Sequence, residues 1–197
     1  MISPFAILFI ALQQRIKEKV PSIRWIDQNL GQLESAERPP VSFPCVLIDF
    51  DEWNFEDLSE LVQTAAGNII IRLAFAPFSA INNVTPTAYK LKALQFYEIE
   101  CQLYKALHGW APSLTAEMLS DFSNDVNDDF GGMQGLLEDA EGWNFGSLIR
   151  TAAITEKRED LFRVRVMPFS LAFEDYSAMR ETTTTEAELE LIAQIIE

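Results

Sequence analysis

The chain reads as an α+β protein: a small, mostly antiparallel sheet packed by an N-terminal helix and a long central helix, with an amphipathic helix at the C-terminus. Three patterns point there. A capping residue followed by proline, the signature of a helix start, stands at Ser3-Pro4 and again at Thr85-Pro86. Compact apolar runs rich in β-branched residues occupy Phe43 to Phe50 and Ile69 to Ala76. Near the end, Phe162, Val164 and Val166 alternate with Arg163 and Arg165, the period of a strand with one wet face.

Taken in order, the first helix carries Phe5, Leu8, Phe9, Leu12, Ile16 and Val20 at helical spacing, with Gln13, Arg15, Lys17 and Glu18 off that line. Ser22 to Asp27 suits a short strand with Ile23 and Trp25 on one face. A polar loop from Gln28 to Pro40 leads into the buried strand Phe43 to Phe50. Phe55 to Ala66 is ambiguous, because Leu58, Leu61 and Val62 have helical spacing in a short piece. Gly67-Asn68 then opens the Ile69 to Ala76 strand. The central helix follows, capped by Thr85 and closed by Gly109, with Phe96, Ile99, Leu103, Ala106 and Leu107 in one stripe. Tyr97, Cys101 and Tyr104 widen that stripe. After a loop-rich stretch from Ala111 to Gly142, Leu148 to Ile154 and Leu161 to Phe173 form two strands with a hairpin tip at Thr155 to Asp160. These elements make one domain over residues 1–181. Residues 182–197 are a polar hinge and a last helix, with Leu189, Ile192, Ala193 and Ile196 on one face.

Length and composition bound the function. At 197 residues the chain suits one domain. Hydrophobic residues make up 48%, including 14 Phe and 4 Trp, enough for a real core. Fifteen basic residues against thirty acidic ones give a net charge of −15, which disfavours nucleic-acid binding by a broad basic face. The apolar run from Ile2 to Leu12 lacks a basic leader and an A-x-A site and is too short to span a bilayer. It reads as a core helix, and no membrane partner is expected.

No constellation of reactive side chains emerges. The one histidine, His108, sits at the end of the central helix, where a helix dipole and the following Gly109-Trp110 suit a structural corner. Cys45 and Cys101 are far apart and read as small buried hydrophobes in a reducing compartment, with a single disulfide left open. Asp121, Asp125, Asp128 and Asp129 precede Gly131-Gly132, but the calcium-loop pattern, with its glycine at six and glutamate at twelve, is absent. A solvated acidic loop is the better reading. Asp49, Asp51, Glu52, Glu56 and Asp57 read as wet acids at a strand exit rather than a hydrolytic pair. Walker A, G-x-G-x-x-G, G-x-S-x-G and H-E-x-x-H patterns do not occur. Neither catalysis nor a cofactor is expected. Trp53, Trp110 and Trp143 stand beside glycine or acids, as exposed interface anchors or as buried rim residues.

One echo runs through the chain. Trp53-Asn54-Phe55 recurs as Trp143-Asn144-Phe145, Thr64-Ala65-Ala66 as Thr151-Ala152-Ala153, and Pro77-Phe78-Ser79 as Pro168-Phe169-Ser170. Either a strand-turn unit is duplicated or short common words coincide.

From Phe5 to Tyr176 the order of elements resembles the tail terminator (tail completion) proteins of long-tailed bacteriophages. The parallels are a leading helix ending in Val20-Pro21, the proline-flanked strand Phe43 to Ile48, the Ile69 to Phe75 strand and a long helix closing in Leu107-His108-Gly109-Trp110. Leu148-Ile149-Arg150 then pairs with Phe162 to Val166, and the likeness ends at Phe173-Glu174-Asp175. The Ala111 to Gly142 loop, the Trp-Asn-Phe echo and the helix after Thr185 depart from compact family members.

The resemblance implies a homo-oligomeric ring, commonly a hexamer, that caps the finished tail tube and meets the head connector. Its partners are then tail-tube and head-connector proteins, and DNA passes through without specific binding. The protein belongs first to the host cytoplasm and then to the virion. On that reading Trp53, Trp110, Trp143, Leu189, Ile192 and Ile196 are candidate protein contacts, and Asp121, Asp125, Asp128 and Asp129 candidate lumen-facing acids. Two rivals stand beside it: a small adaptor or chaperone-like binding module, and an acidic metal-dependent hydrolase.

Overall fold

Helix α1 (Pro4–Lys19) begins where the Ser3-Pro4 pair places it. The Ser3 hydroxyl makes no cap; its backbone is extended, and its carbonyl accepts the N–H groups of Ala6 and Ile7. Proline fits the first turn because its missing N–H would have had no helical partner. The buried stripe is Ile7, Leu8, Ala11, Leu12 and Ile16, continued by Val20. It is rotated slightly from the expected one, leaving Phe5 and Phe9 half-buried at its border. The computed structural model describes residues 3–34, 40–76, 82–113, 143–158 and 162–177.

Six strands follow in one sheet: β1 (Trp25–Gln28), β2 (Cys45–Ser59), β3 (Val62–Phe75), β4 (Ile149–Arg150), β5 (Ile154–Glu156) and β6 (Arg163–Asp175). Their order is β1-β2-β3-β6-β4, and β5 also pairs with β6. The protein is therefore α+β, and most strand pairings are antiparallel as expected, but the sheet is mixed and is not small. β1 lies parallel to β2, and three of the strands run to 13 residues or more. A parallel pair needs a connection that returns the chain to the same end. The stretch between β1 and β2 serves that purpose, carrying a short 3-10 turn (Gln32–Glu34) with Leu33 buried. Ile23 is buried, whereas Trp25, expected on the same face, is 40% exposed.

The ambiguous segment resolves as strand. β2 does not stop at the acids after Phe50; it runs on to Ser59, turns at Glu60-Leu61 and returns as β3. Leu58 and Leu61 are 59% and 45% exposed, so their helical spacing buries nothing. The ladder to β3 satisfies the backbone instead. β6 then pairs along β3 from Phe75↔Arg163 to Gln63↔Asp175.

The central helix is two helices, α2 (Thr87–Ala93) and α3 (Gln95–Leu107), separated at Leu94. The Leu94 carbonyl accepts from Tyr97 three residues on, a local tightening of the chain. Thr85 is not the cap; its hydroxyl and N–H, with the N–H of Val84, all bond the Asn82 side-chain oxygen. The expected α3 stripe is buried as read, and Gly109 has the positive φ of +78° that suits a helix-ending glycine.

The expected strand from Leu148 to Ile154 is broken into β4 and β5. Thr151 directs both its N–H and its hydroxyl to the Pro168 carbonyl, at 2.9 and 3.2 Å. Proline has no N–H to return, so the ladder lapses there.

Both faces of the sheet are covered, unequally. Val46, Ile48, Ile69, Ile71, Met167 and Phe169 meet α1 and α3 in the main core. On the other face a smaller core holds Leu33, Cys45, Leu47, Ala74 and Val164. This inverts the expected wet face of β6. Val164 points into the smaller core, while Arg165 reaches Glu100 of α3 through two bonds of 2.9 and 2.8 Å.

Candidate protein-contact surfaces

Four places bring functional groups together, and three of them lie on the long strands. The first is an aromatic cluster beneath the N-terminus of α1. One extra residue bulges from β2 between Phe50 and Trp53 and sets Trp53 opposite Gly67 of β3. The indole then lies directly on the glycine. A Cβ at Gly67 would stand 2.4 Å from the indole Cδ2 and 2.8 Å from the Glu52 carbonyl oxygen. Trp53 also meets Phe5 at 5.1 Å and Phe173 at 5.4 Å between ring centroids. Trp143 and Phe145 reach the same Phe173 at 5.9 and 5.3 Å.

The two tryptophans of the sequence echo therefore share one aromatic ring. The echo does not extend to equivalent elements. Thr64-Ala65-Ala66 lies just after a hairpin turn, whereas Thr151-Ala152-Ala153 lies before one, in the gap between β4 and β5. Phe55 is 45% exposed and its counterpart Phe145 is buried. Residues 77–79 lie outside the described residues. Trp53, Trp110 and Trp143 are each half-buried on the main core. Trp110 carries the Arg15 guanidinium 5.2 Å from its ring. The Trp53 indole N–H is buried and has no hydrogen-bond partner among the described residues.

The second place is the far end of the β2–β3 hairpin. β1 covers the outer edge of β2 only from Cys45 to Ile48. Beyond the bulge, Phe55, Leu58 and Leu61 stand in solvent between Glu56, Asp57 and Glu60. Exposed apolar and acidic groups thus share one projecting tip.

The third is a cleft of about 550 Å³ at the opposite end of the same strands, where β3 stops and β6 starts. Its walls are aromatic (Phe43, Phe75, Phe96 and Phe162), and Lys157, Arg158 and Arg163 stand among them. The Arg163 guanidinium rests 3.4 Å from the Phe96 ring centroid and 4.8 Å from that of Tyr97. Its Nε is buried without a hydrogen-bond partner among the described residues. Behind the cleft, Arg158 and Arg72 share Glu34 and Glu156, with Arg158 2.8 Å from each carboxylate. Arg163 stands outside that quartet.

The fourth is the His108 corner. The His108 N–H bonds the Tyr104 carbonyl, and its Nδ1 accepts the Arg150 N–H at 3.1 Å. Gly109 and Trp110 exchange bonds with Leu148 at 2.8 and 2.9 Å. This ties the end of α3 to the start of β4, with the imidazole as part of the tie.

Electrostatics follow burial. Cys45 is fully enclosed, and desolvation pushes its thiol up to about 12. Cys101 is half-buried, and both cysteines are free thiols. Arg165 is held above its ordinary range, first by its hydrogen bonds to Glu100. Among the described residues no three His, Cys, Asp or Glu side chains converge as a metal site, and no helix is long and apolar enough to cross a membrane.

Asp121, Asp125, Asp128, Asp129, Leu189, Ile192 and Ile196 lie outside the described residues. The tip residues Phe55, Leu58 and Leu61, and the cleft arginine Arg163, were not singled out by sequence reasoning. The available signal was Leu58 and Leu61 among acids in a segment without a coherent apolar face.

No family model matches the chain, and no curated protein does. Among solved structures the chain is similar to one described as "Virion of native gene transfer agent (GTA) particle", at 11% identity and a TM-score of 0.45. That match covers 89% of this chain and 100% of the other.

Proposed function

We propose that this chain is a structural protein of a phage-like virion, one that caps a tail tube and joins it to the head connector by assembling as a ring, without catalysis. The observation that carries the reading is the β2–β3 hairpin, whose far end holds Phe55, Leu58 and Leu61 in solvent. Three large apolar side chains at one projecting tip are costly to leave wet, and such groups mark protein-contact surfaces. Ring subunits meet through unlike surfaces, so a body with distinct ends suits closed assembly. The particular role is taken from the resemblance of the order of elements to that of tail terminators.

The test is electron microscopy of the purified protein mixed with tail tubes that lack their terminator. The expected result is density closing one end of each tube. Tubes that remain open and keep lengthening at saturating protein overturn the role. An adaptor would instead form a discrete 1:1 complex with one partner and leave tube ends bare.

A further inference from the structure

We propose that the tip of the β2–β3 hairpin of one copy seats in the Arg163 cleft of the next copy, so that identical chains join end to end. The proposal rests on the ring-assembly reading and names the contact that would build the ring.

Both halves of the contact are on the same molecule and are complementary. The tip is apolar and acidic, with Phe55, Leu58 and Leu61 beside Glu56, Asp57 and Glu60. The cleft is apolar and net basic, with Phe75, Phe96 and Phe162 beside Lys157 and Arg163, and its one acid among the described residues, Glu156, is paired with Arg72 and Arg158. Its volume of about 550 Å³ falls in the range of clefts that enclose a drug-sized ligand, which is room for side chains of a hairpin tip. The Arg163 side chain lines the cleft with its guanidinium laid on the Phe96 ring, and it stands outside the quartet of Arg72, Arg158, Glu34 and Glu156. A carboxylate from the tip can meet its terminal nitrogens in a fork geometry that lysine would not offer.

Geometry makes the partner a second copy. Tip and cleft lie at opposite ends of β3 and β6, since Gln63 pairs with Asp175 at one end and Phe75 with Arg163 at the other. At about 3.3 Å per residue the two ends are about 40 Å apart along straight, hydrogen-bonded strands. The tip cannot fold back into its own cleft. In a second chain the unlike ends meet, and repeating that contact gives a ring if the rotation closes. The overall charge of −15 opposes any encounter of two copies, so the contact depends on local complementarity and is best measured at about 0.15 M salt, where long-range repulsion is screened.

The experiment reverses charge at each end separately. One variant carries Glu56→Lys and Asp57→Lys, so both of its ends are basic. The other carries Lys157→Glu and Arg163→Glu, so both of its ends are acidic. Sedimentation equilibrium of the full chain, with thermal melting as a check on folding, is expected to show self-association in the parent and a loss of about 100-fold in each variant alone. Mixing the two variants is expected to restore assembly, because every tip again meets a cleft of opposite sign.

Should the cleft variant fail to fold, Phe55→Asp with Leu58→Asp, both at exposed positions, replaces it and is expected to abolish self-association. Parent-like association of the variants overturns the proposal, as does a parent that stays monomeric to about 1 mM. A monomeric parent that still closes tube ends in the microscope removes this contact and leaves the capping role standing. Open tubes with the variant pattern intact do the reverse.

Discussion

Replacing Gly67 with alanine tests whether the Trp53 indole is held where the bulge in β2 places it. The new Cβ would sit 2.4 and 2.6 Å from two indole carbons and 2.8 Å from the Glu52 carbonyl oxygen. The indole has little room to retreat, since Phe5 and Phe173 pack on it at 5.1 and 5.4 Å. The carbonyl belongs to the bulge itself and moves only with the strand. Overpacking of this kind costs about 1–3 kcal/mol. The lower entropy of an unfolded alanine offsets about 0.4–1 kcal/mol of that. The net expectation is a loss of about 1–2 kcal/mol, or about 2–8 °C in melting temperature for a chain of this size. Circular dichroism melts of the parent, Gly67→Ala, Trp53→Ala and the double variant measure it. With the indole gone only the carbonyl contact remains, so the alanine should cost less in the Trp53→Ala background, with a coupling of about 1 kcal/mol. A Gly67→Ala protein that melts with or above its parent refutes the close approach of indole and glycine.

Three other outcomes follow from the same structure. Glu100→Gln leaves Arg165 buried without its counter-charge and is expected to cost about 3 kcal/mol in denaturant melts, while Glu98→Gln on the wet side of α3 changes stability little. The Cys45 thiol, raised to about 12 by burial, stays protonated in the folded chain while an unfolded one ionises near the ordinary thiol value of 9.0. Its contribution to stability is therefore complete below pH 9 and is lost as pH rises from 9 toward 12, a slope that Cys45→Ala should flatten in melts across that window. Removing residues 186–197 is expected to weaken self-association and leave the melt of the described body unchanged; undiminished assembly in sedimentation would exclude those residues from the contact.

The elements that announced themselves were those with local punctuation. Ser3-Pro4 started α1, Gly109 ended α3, and the β-branched run from Ile69 lay within β3. What escaped depended on partners distant in the chain. The far half of the β2–β3 hairpin is wet on most sides, so Glu56 to Gln63 carries no strand alternation and only the short helical spacing of Leu58, Leu61 and Val62; pairing across the turn makes it a strand. Arg163 and Arg165 alternated with valines as solvent-facing residues would. Their burial came from α3, which sets Phe96 and Glu100 over them from more than sixty positions away. Gly67 looked like the opening of a strand, yet it lies inside one, because a tryptophan fourteen residues earlier requires the space a side chain would fill.

The quartet of Arg72, Arg158, Glu34 and Glu156 works as a clasp over the smaller core. It fastens the turn that carries Leu33 to two strands, and Glu34 is 53% exposed. Ions in solution compete best at Glu34, since Arg72, Arg158 and Glu156 are only 27%, 10% and 27% exposed. Added salt therefore weakens the clasp first at its Glu34 arm, and it leaves the greasy seam beneath α1 untouched. The fully enclosed Cys45 lies beneath the clasp, as a chemical reporter of when it lets go.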